Sequence, residues 1–162
     1  MKLAVSNTSP LIFLHKIGRL DLLNELYGHI VVPSGVLDEV VARNSEQAEA
    51  LRARIQGSRF KVRSAQREAL AGIADNLGAG ERECIALAVE MNADLVIIDE
   101  ARGRAVARSW DLELTGCVGV MIQAYQRGLV GSVGEELDKL VDVGLWIDEY
   151  LYEEVLREWD EE

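Results

Sequence analysis

Residues 94–99, DLVIID, constrain the fold of this 162-residue chain more than any other stretch. Leu95, Val96, Ile97 and Ile98 form an unbroken apolar run between two aspartates. A strand with one wet face alternates apolar and polar residues. A continuous run is the mark of a strand buried on both faces, as in a parallel sheet covered by helices. Helical segments flank it: ERECIALAVEMN (81–92) before, ARGRAVARSW (101–110) after. Strands set between helices define an α/β protein with a mainly parallel sheet.

The rest of the chain repeats the alternation. Residues 2–6 read as a strand. Ser9 can cap a following helix with Pro10 at its first position, where a missing N–H costs nothing. Leu11, Leu14 and Ile17 then recur at helical spacing until Gly18. LDLLNELY (20–27) is a second short helix and HIVVP (29–33) a strand, with VLDEVVAR (36–43) helical after it. Residues 45–56 form an amphipathic helix, 60–63 a strand or extended connection, and 64–76 a helical or irregular stretch. LELTG (112–116) is another short strand, followed by the helix VGVMIQAYQRG (118–128). SVGEELDKLVDVG (132–144) and EYLYEEVLREW (149–159) are helical, with LWID between them. No repeat or linker interrupts this. The expectation is one domain over 1–162, with an acidic helical extension at about 129–162.

Composition narrows the function classes. No apolar run approaches the roughly 18 residues that span a membrane. Ser6 to Pro10 break any signal-peptide core, so a soluble cytoplasmic protein is expected. Cys84 and Cys117 lie far apart in apolar sequence, with no CxxC and only His15 and His29 beside them. Both read as small core residues rather than zinc ligands or a disulfide. Net charge is −11. Residues 129–162 hold twelve acids and two bases, so the remainder is nearly neutral. Two basic clusters interrupt it: Arg52, Arg54, Arg59, Lys61, Arg63 and Arg67, then Arg102, Arg104 and Arg108. They are solvated faces, partners for the tail, or local polyanion sites.

In parallel α/β sheets, ligands bind where strand carboxyl ends meet helix amino ends. Four separate segments place polar side chains there. Asn7 follows the first strand, Glu39 lies early in the helix after the second, Glu81 opens its helix, and Asp99 and Glu100 follow DLVII. Glu81 shares a face with Cys84, Ile85 and Ala88. Taken singly, Glu81 is a helix-start acid, Asp99 an N-cap for the helix from Ala101, and Glu39 a surface glutamate. Taken together they make a hard-cation site: Mg²⁺ and Mn²⁺ favour oxygen ligands and keep several waters. Phosphodiester hydrolysis is the natural chemistry of such a cluster. No P-loop, GxSxG or GxGxxG pattern competes.

VSNTSPLI, VLDEVV, LGAGERECIALA, LVIIDE-AR and LTGCVGVMIQAYQRGLV occur in that order over almost the whole chain. In this order they resemble a branch of the PIN-domain family similar to VapC-type toxins of prokaryotic toxin–antitoxin pairs. The resemblance implies an α/β/α sandwich around a parallel sheet and Mg²⁺- or Mn²⁺-dependent cleavage of RNA. It places the family's acids at Asn7, Glu39, Glu81 and Asp99, with Glu100 a further carboxylate. Thr8 or Ser9 matches a small hydroxyl residue near the first acid. Arg102, Arg104 and the basic segment 52–67 are then candidates for holding RNA phosphates. A small antitoxin and a homodimer are the implied partners. The chain departs from the pattern at two places: Asn7 stands for the usual first aspartate, and Thr115-Gly116-Cys117 lacks an acid found in many members. These departures leave a second reading, a PIN-fold binding module without catalysis. A small-molecule phosphohydrolase is a third.

Overall fold

The computed structural model describes residues 2–159. Five strands, β1 (Ala4–Ser6), β2 (Ile30–Pro33), β3 (Phe60–Arg63), β4 (Leu95–Ile97) and β5 (Leu114–Thr115), form one sheet in the order β3-β2-β1-β4-β5. Every neighbouring pair is parallel. The helices are α1 (Thr8–Lys16), α2 (Asp21–Tyr27), α3 (Ser34–Ala42), α4 (Glu46–Ile55), α5 (Arg67–Ala71), α6 (Ala79–Met91), α7 (Ala101–Ser109), α8 (Cys117–Gln126), α9 (Val133–Asp142) and α10 (Glu149–Trp159). FKVR is therefore a strand, at one edge of the sheet. LWID forms neither helix nor strand.

The apolar run at 95–98 explains the layering. Leu95 and Ile97 point into one core with Ala4, Ile30 and Val32, where Leu11, Leu51, Met121 and Leu137 pack on them. Val96 and Ile98 point into a second core with Val5 and Val31, against Cys84, Ile85, Leu87 and Ala107. Period-two alternation sends successive side chains to opposite faces, so only an all-apolar strand can serve both cores. Each fully buried Leu or Ile contributes roughly 1.5–3 kcal/mol by leaving water. The result is a three-layer α/β/α sandwich. No helix among the described residues is long and apolar enough to cross a membrane.

Two local expectations change. Helix α1 begins at Thr8 with Asn7 at the N-cap position, and no side chain caps it. Ser9 is already inside the first turn, and Pro10 is tolerated there because first-turn N–H groups have no intrahelical partner. Helix α7 has Glu100, not Asp99, at its N-cap position.

Strand β1 passes the chain to β2 and β3 on one side, while β4 and β5 lie on the other. The order reverses between β1 and β4, and the crevice beyond their carboxyl ends is where open α/β sheets bind ligands.

Candidate functional site

Asn7 leaves β1 at that crevice. Its backbone N–H donates to Ile97 O at 3.0 Å, extending the β1–β4 ladder by one residue. The side chain is 3% exposed. Its Nδ2 donates to Glu100 Oε2 at 3.1 Å, which turns Oδ1 the other way. That Oδ1 is buried without a hydrogen-bond partner. Ser9 Oγ donates to the other Glu100 oxygen at 2.6 Å, so the exposed Glu100 is held from the start of α1.

Glu81 lies in the first turn of α6, and its Oε2 is a second buried oxygen without a partner. Burial, then the charge of Glu100 and more weakly of Glu39, raises its pKa, while a hydrogen bond from the Gly78 backbone and the charge of Arg102 oppose this. Glu100 thus links the two orphaned oxygens, bonded to Asn7 and electrostatically felt by Glu81.

Glu39 is half-buried on α3 and reaches across to two other elements. Thr8 Oγ1 donates to its Oε2 at 2.6 Å, and Gly80 N to its Oε1 at 2.9 Å. Thr8, 5% exposed, gives its hydroxyl to this carboxylate. Asp99 is turned toward α8. Cys117 N donates to its Oδ1 at 2.8 Å and Cys117 Sγ to its Oδ2 at 3.2 Å. It caps α8 across the sheet edge instead of capping its own following helix. Burial raises its pKa, with Cys117 opposing and Glu100 adding to the rise.

Glycines make room for these carboxylates. A Cβ on Gly80 would stand 2.5 Å from Glu39 Oε1, one on Gly103 2.6 Å from Glu81 Oε2, and one on Gly116 2.7 Å from Asp99 Oδ1. Glu39, Glu81 and Asp99 are each packed against a glycine, a position that carries no side chain.

The basic residues divide. Arg104 is half-buried, donates to Ile98 O at 2.9 Å, and lowers the Asp99 pKa by its charge. Arg102 is exposed and donates to Asn76 O at 3.1 Å. Arg52 pairs with Glu49, and Arg54 and Arg59 with Asp21. The first half of the basic segment is therefore partly neutralised by near neighbours rather than by the acidic tail. A cleft of about 770 Å³ opens beside Asp99 and Glu100, bounded by Ser9, Arg104, Phe13 and Trp146.

Among the described residues, no three His, Cys, Asp or Glu side chains converge as a ready-made metal cage. The residues present nevertheless fit a hydrated divalent cation. Buried oxygens without partners are costly in a folded chain, and a cation is a ligand that relieves such an oxygen. Acids with raised pKa values, crowded by like charge, favour the same ligand. Glu39 and Asp99 each keep unused lone pairs, and their donors fix their orientation as outer-shell partners do around metals.

Sequence reasoning missed Cys117 as a partner of Asp99. It also missed Glu83, whose carboxylate accepts from Gly35 N at 2.6 Å and Ala65 N at 3.2 Å and so ties α6 to the start of α3. The available signals were two glycines, Gly116, where a Cβ would meet Asp99 Oδ1 at 2.7 Å, and Gly35, where one would meet Glu83 Oε1 at 3.0 Å.

The family model DUF3368, described as a PIN domain, matches residues 3–161. The chain belongs to the PIN-domain family, whose fold is that of nucleases. No curated protein matches it. Among solved structures it is similar to a PilT N-terminus domain protein from the hyperthermophilic archaeon Sulfolobus solfataricus P2. The two are 17% identical with a TM-score of 0.54, over 75% of this chain and 92% of that one. At that identity the likeness speaks for the fold alone.

Proposed function

We propose that this chain is a Mg²⁺- or Mn²⁺-dependent endoribonuclease acting on single-stranded or structured RNA, and that it serves as a VapC-like toxin held in check by a small antitoxin. The observation that carries the reading is the pair of buried, unpartnered oxygens, Asn7 Oδ1 and Glu81 Oε2, at the β1–β4 switch point. Asn7, Glu81 and Glu100 would hold the cation, with Glu39 and Asp99 completing the oxygen set. When bound, the cation supplies an acidified water and charge stabilisation at the phosphate. The protein's own part is orientation: Thr8 and Gly80 aim Glu39, Ser9 aims Glu100, and Cys117 aims Asp99. Arg104, which lines the cleft, and the exposed Arg102 would be the phosphate partners. A homodimer and a cytoplasmic site of action belong to the same proposal.

One observation favours the rival, a binding module without catalysis. Asn7 brings an amide where a carboxylate would bring charge, and its Nδ2 is tied to Glu100. The test is cleavage of a mixed single-stranded RNA pool in Mn²⁺ and Mg²⁺ by wild type, Asp99→Ala, Glu81→Gln and Asn7→Asp. Cutting by wild type but not by Asp99→Ala or Glu81→Gln supports the enzyme. Cutting by Asn7→Asp alone supports the module. Silence from all four proteins removes the enzyme reading.

A further inference from the structure

Cys117 is the second residue after Thr115 and opens α8 at the end of β5. It is fully buried. It gives Asp99 two donors at once, its backbone N–H to Oδ1 and its thiol to Oδ2, at 2.8 and 3.2 Å. The preceding Gly116 lets this happen, because a Cβ there would meet Asp99 Oδ1 at 2.7 Å. We infer that Cys117 is a positioning residue, whose amide and thiol together lock the Asp99 carboxylate onto the start of α8 and set the direction it presents to the cation.

The thiol is suited to this as a donor only. Its Sγ stands 3.2 Å from Asp99 Oδ2, and an ionised carboxylate can only accept. An acid at this position would place two carboxylates against each other, and a cation or a shared proton would be needed to hold them together. A thiol holds Asp99 in place with no cation present. The carboxylate is then pre-oriented rather than assembled on binding, which is what an outer-shell partner does for a metal ligand.

This rests on the metal-dependent reading above, so two measurements are paired. The first is Mn²⁺ affinity, read by electron paramagnetic resonance of free Mn²⁺ in wild type, Cys117→Ala and Cys117→Ser. Removing the thiol donor weakens binding by about tenfold. The serine hydroxyl, still a donor, restores most of it. A mere packing role predicts a different order, because a buried hydroxyl suits an apolar site worse than alanine does. Where wild type binds Mn²⁺, equal affinity in all three, or affinity that simply follows melting temperature, overturns the inference.

The second measurement is the infrared S–H stretch of Cys117 in a Cys84→Ala background. Hydrogen bonding to Asp99 lowers its frequency, and Asp99→Ala raises it again. A band that Asp99→Ala does not move overturns the inference whatever the metal does. If wild type takes up no Mn²⁺ while the band shifts as described, the metal reading fails and the thiol–carboxylate lock stands.

Discussion

Gly103 of α7 lies so close to Glu81 of α6 that a Cβ at position 103 would stand 2.6 Å from the Glu81 Oε2 oxygen. The same Cβ would stand 3.2 Å from Ile98 Cγ2 on the chain leaving β4. A glycine inside a helix costs about 1 kcal/mol against alanine. Here it leaves the clearance in which an unpartnered carboxylate oxygen sits. Gly103→Ala therefore gains helix propensity and pushes Glu81 out of place. RNA cleavage and Mn²⁺ affinity are expected to fall by about tenfold or more, since ångström-scale displacement of a catalytic group is that costly. Circular dichroism melts should shift far less than either.

Glu81→Gln separates stability from function. Burial and neighbouring charge raise the Glu81 pKa above its ordinary 4.5. An acid with a raised folded pKa binds more protons folded than unfolded, so its contribution to stability declines as pH rises from the unfolded pKa through the folded one. The neutral amide escapes that decline. Without metal, Glu81→Gln should melt higher than wild type near pH 7. The gap should close below the unfolded pKa. Added Mn²⁺ should raise the wild-type melting temperature and leave the variant's unmoved.

Glu136 gives the opposite sign at a site remote from the acids. It is 3% exposed on α9 and accepts from Arg19 Nε at 2.7 Å and from Lys139 Nζ at 3.0 Å. Burial alone would raise its pKa, but the hydrogen bonds from Arg19 and Lys139 outweigh it, and the pKa is lowered. The stability it supplies is present above the unfolded pKa and disappears as pH falls through the lowered one. Glu136→Gln should lose about 1–3 kcal/mol near pH 7, the range for a charged hydrogen bond. Urea titrations of the two proteins should converge at a pH below the lowered value.

The sheet was legible because burial on both faces leaves a mark that needs no tertiary knowledge. DLVIID read as a strand covered on both faces, and its alternate residues do enter two different cores. The edge carrying Asn7, Glu81, Asp99 and Glu100 followed from the same topology. The hydrogen bonds within that edge were not legible. Sequence offers a nearby helix start to each acid, yet Glu39 reaches the start of α6 and Asp99 the start of α8, over 41 and 18 residues. Long-range capping leaves no periodic signal, because the donor is a backbone amide that any residue carries. Cys117 read as core for the same reason: burial was visible in its neighbours, and the direction of its thiol was not.

Thr8 offers the cleanest separation of orientation from packing. Its hydroxyl donates to Glu39 Oε2 at 2.6 Å, while Glu39 Oε1 keeps the Gly80 amide. Thr8→Val preserves shape and removes the donor, so the carboxylate stays tethered at one oxygen and becomes free to swing at the other. Loss of the bond should lower stability by about 1.5 kcal/mol, the low end for a hydrogen bond to a charged group. RNA turnover should fall further, by about tenfold, because outer-shell partners of metal ligands act at that scale. Thr8→Ser retains the donor and loses only a methyl group, so it should keep turnover while losing comparable stability. Turnover that follows melting temperature across threonine, serine and valine would show Thr8 to be a packing residue. Turnover that follows the presence of the hydroxyl would show that Glu39 works only when it is aimed.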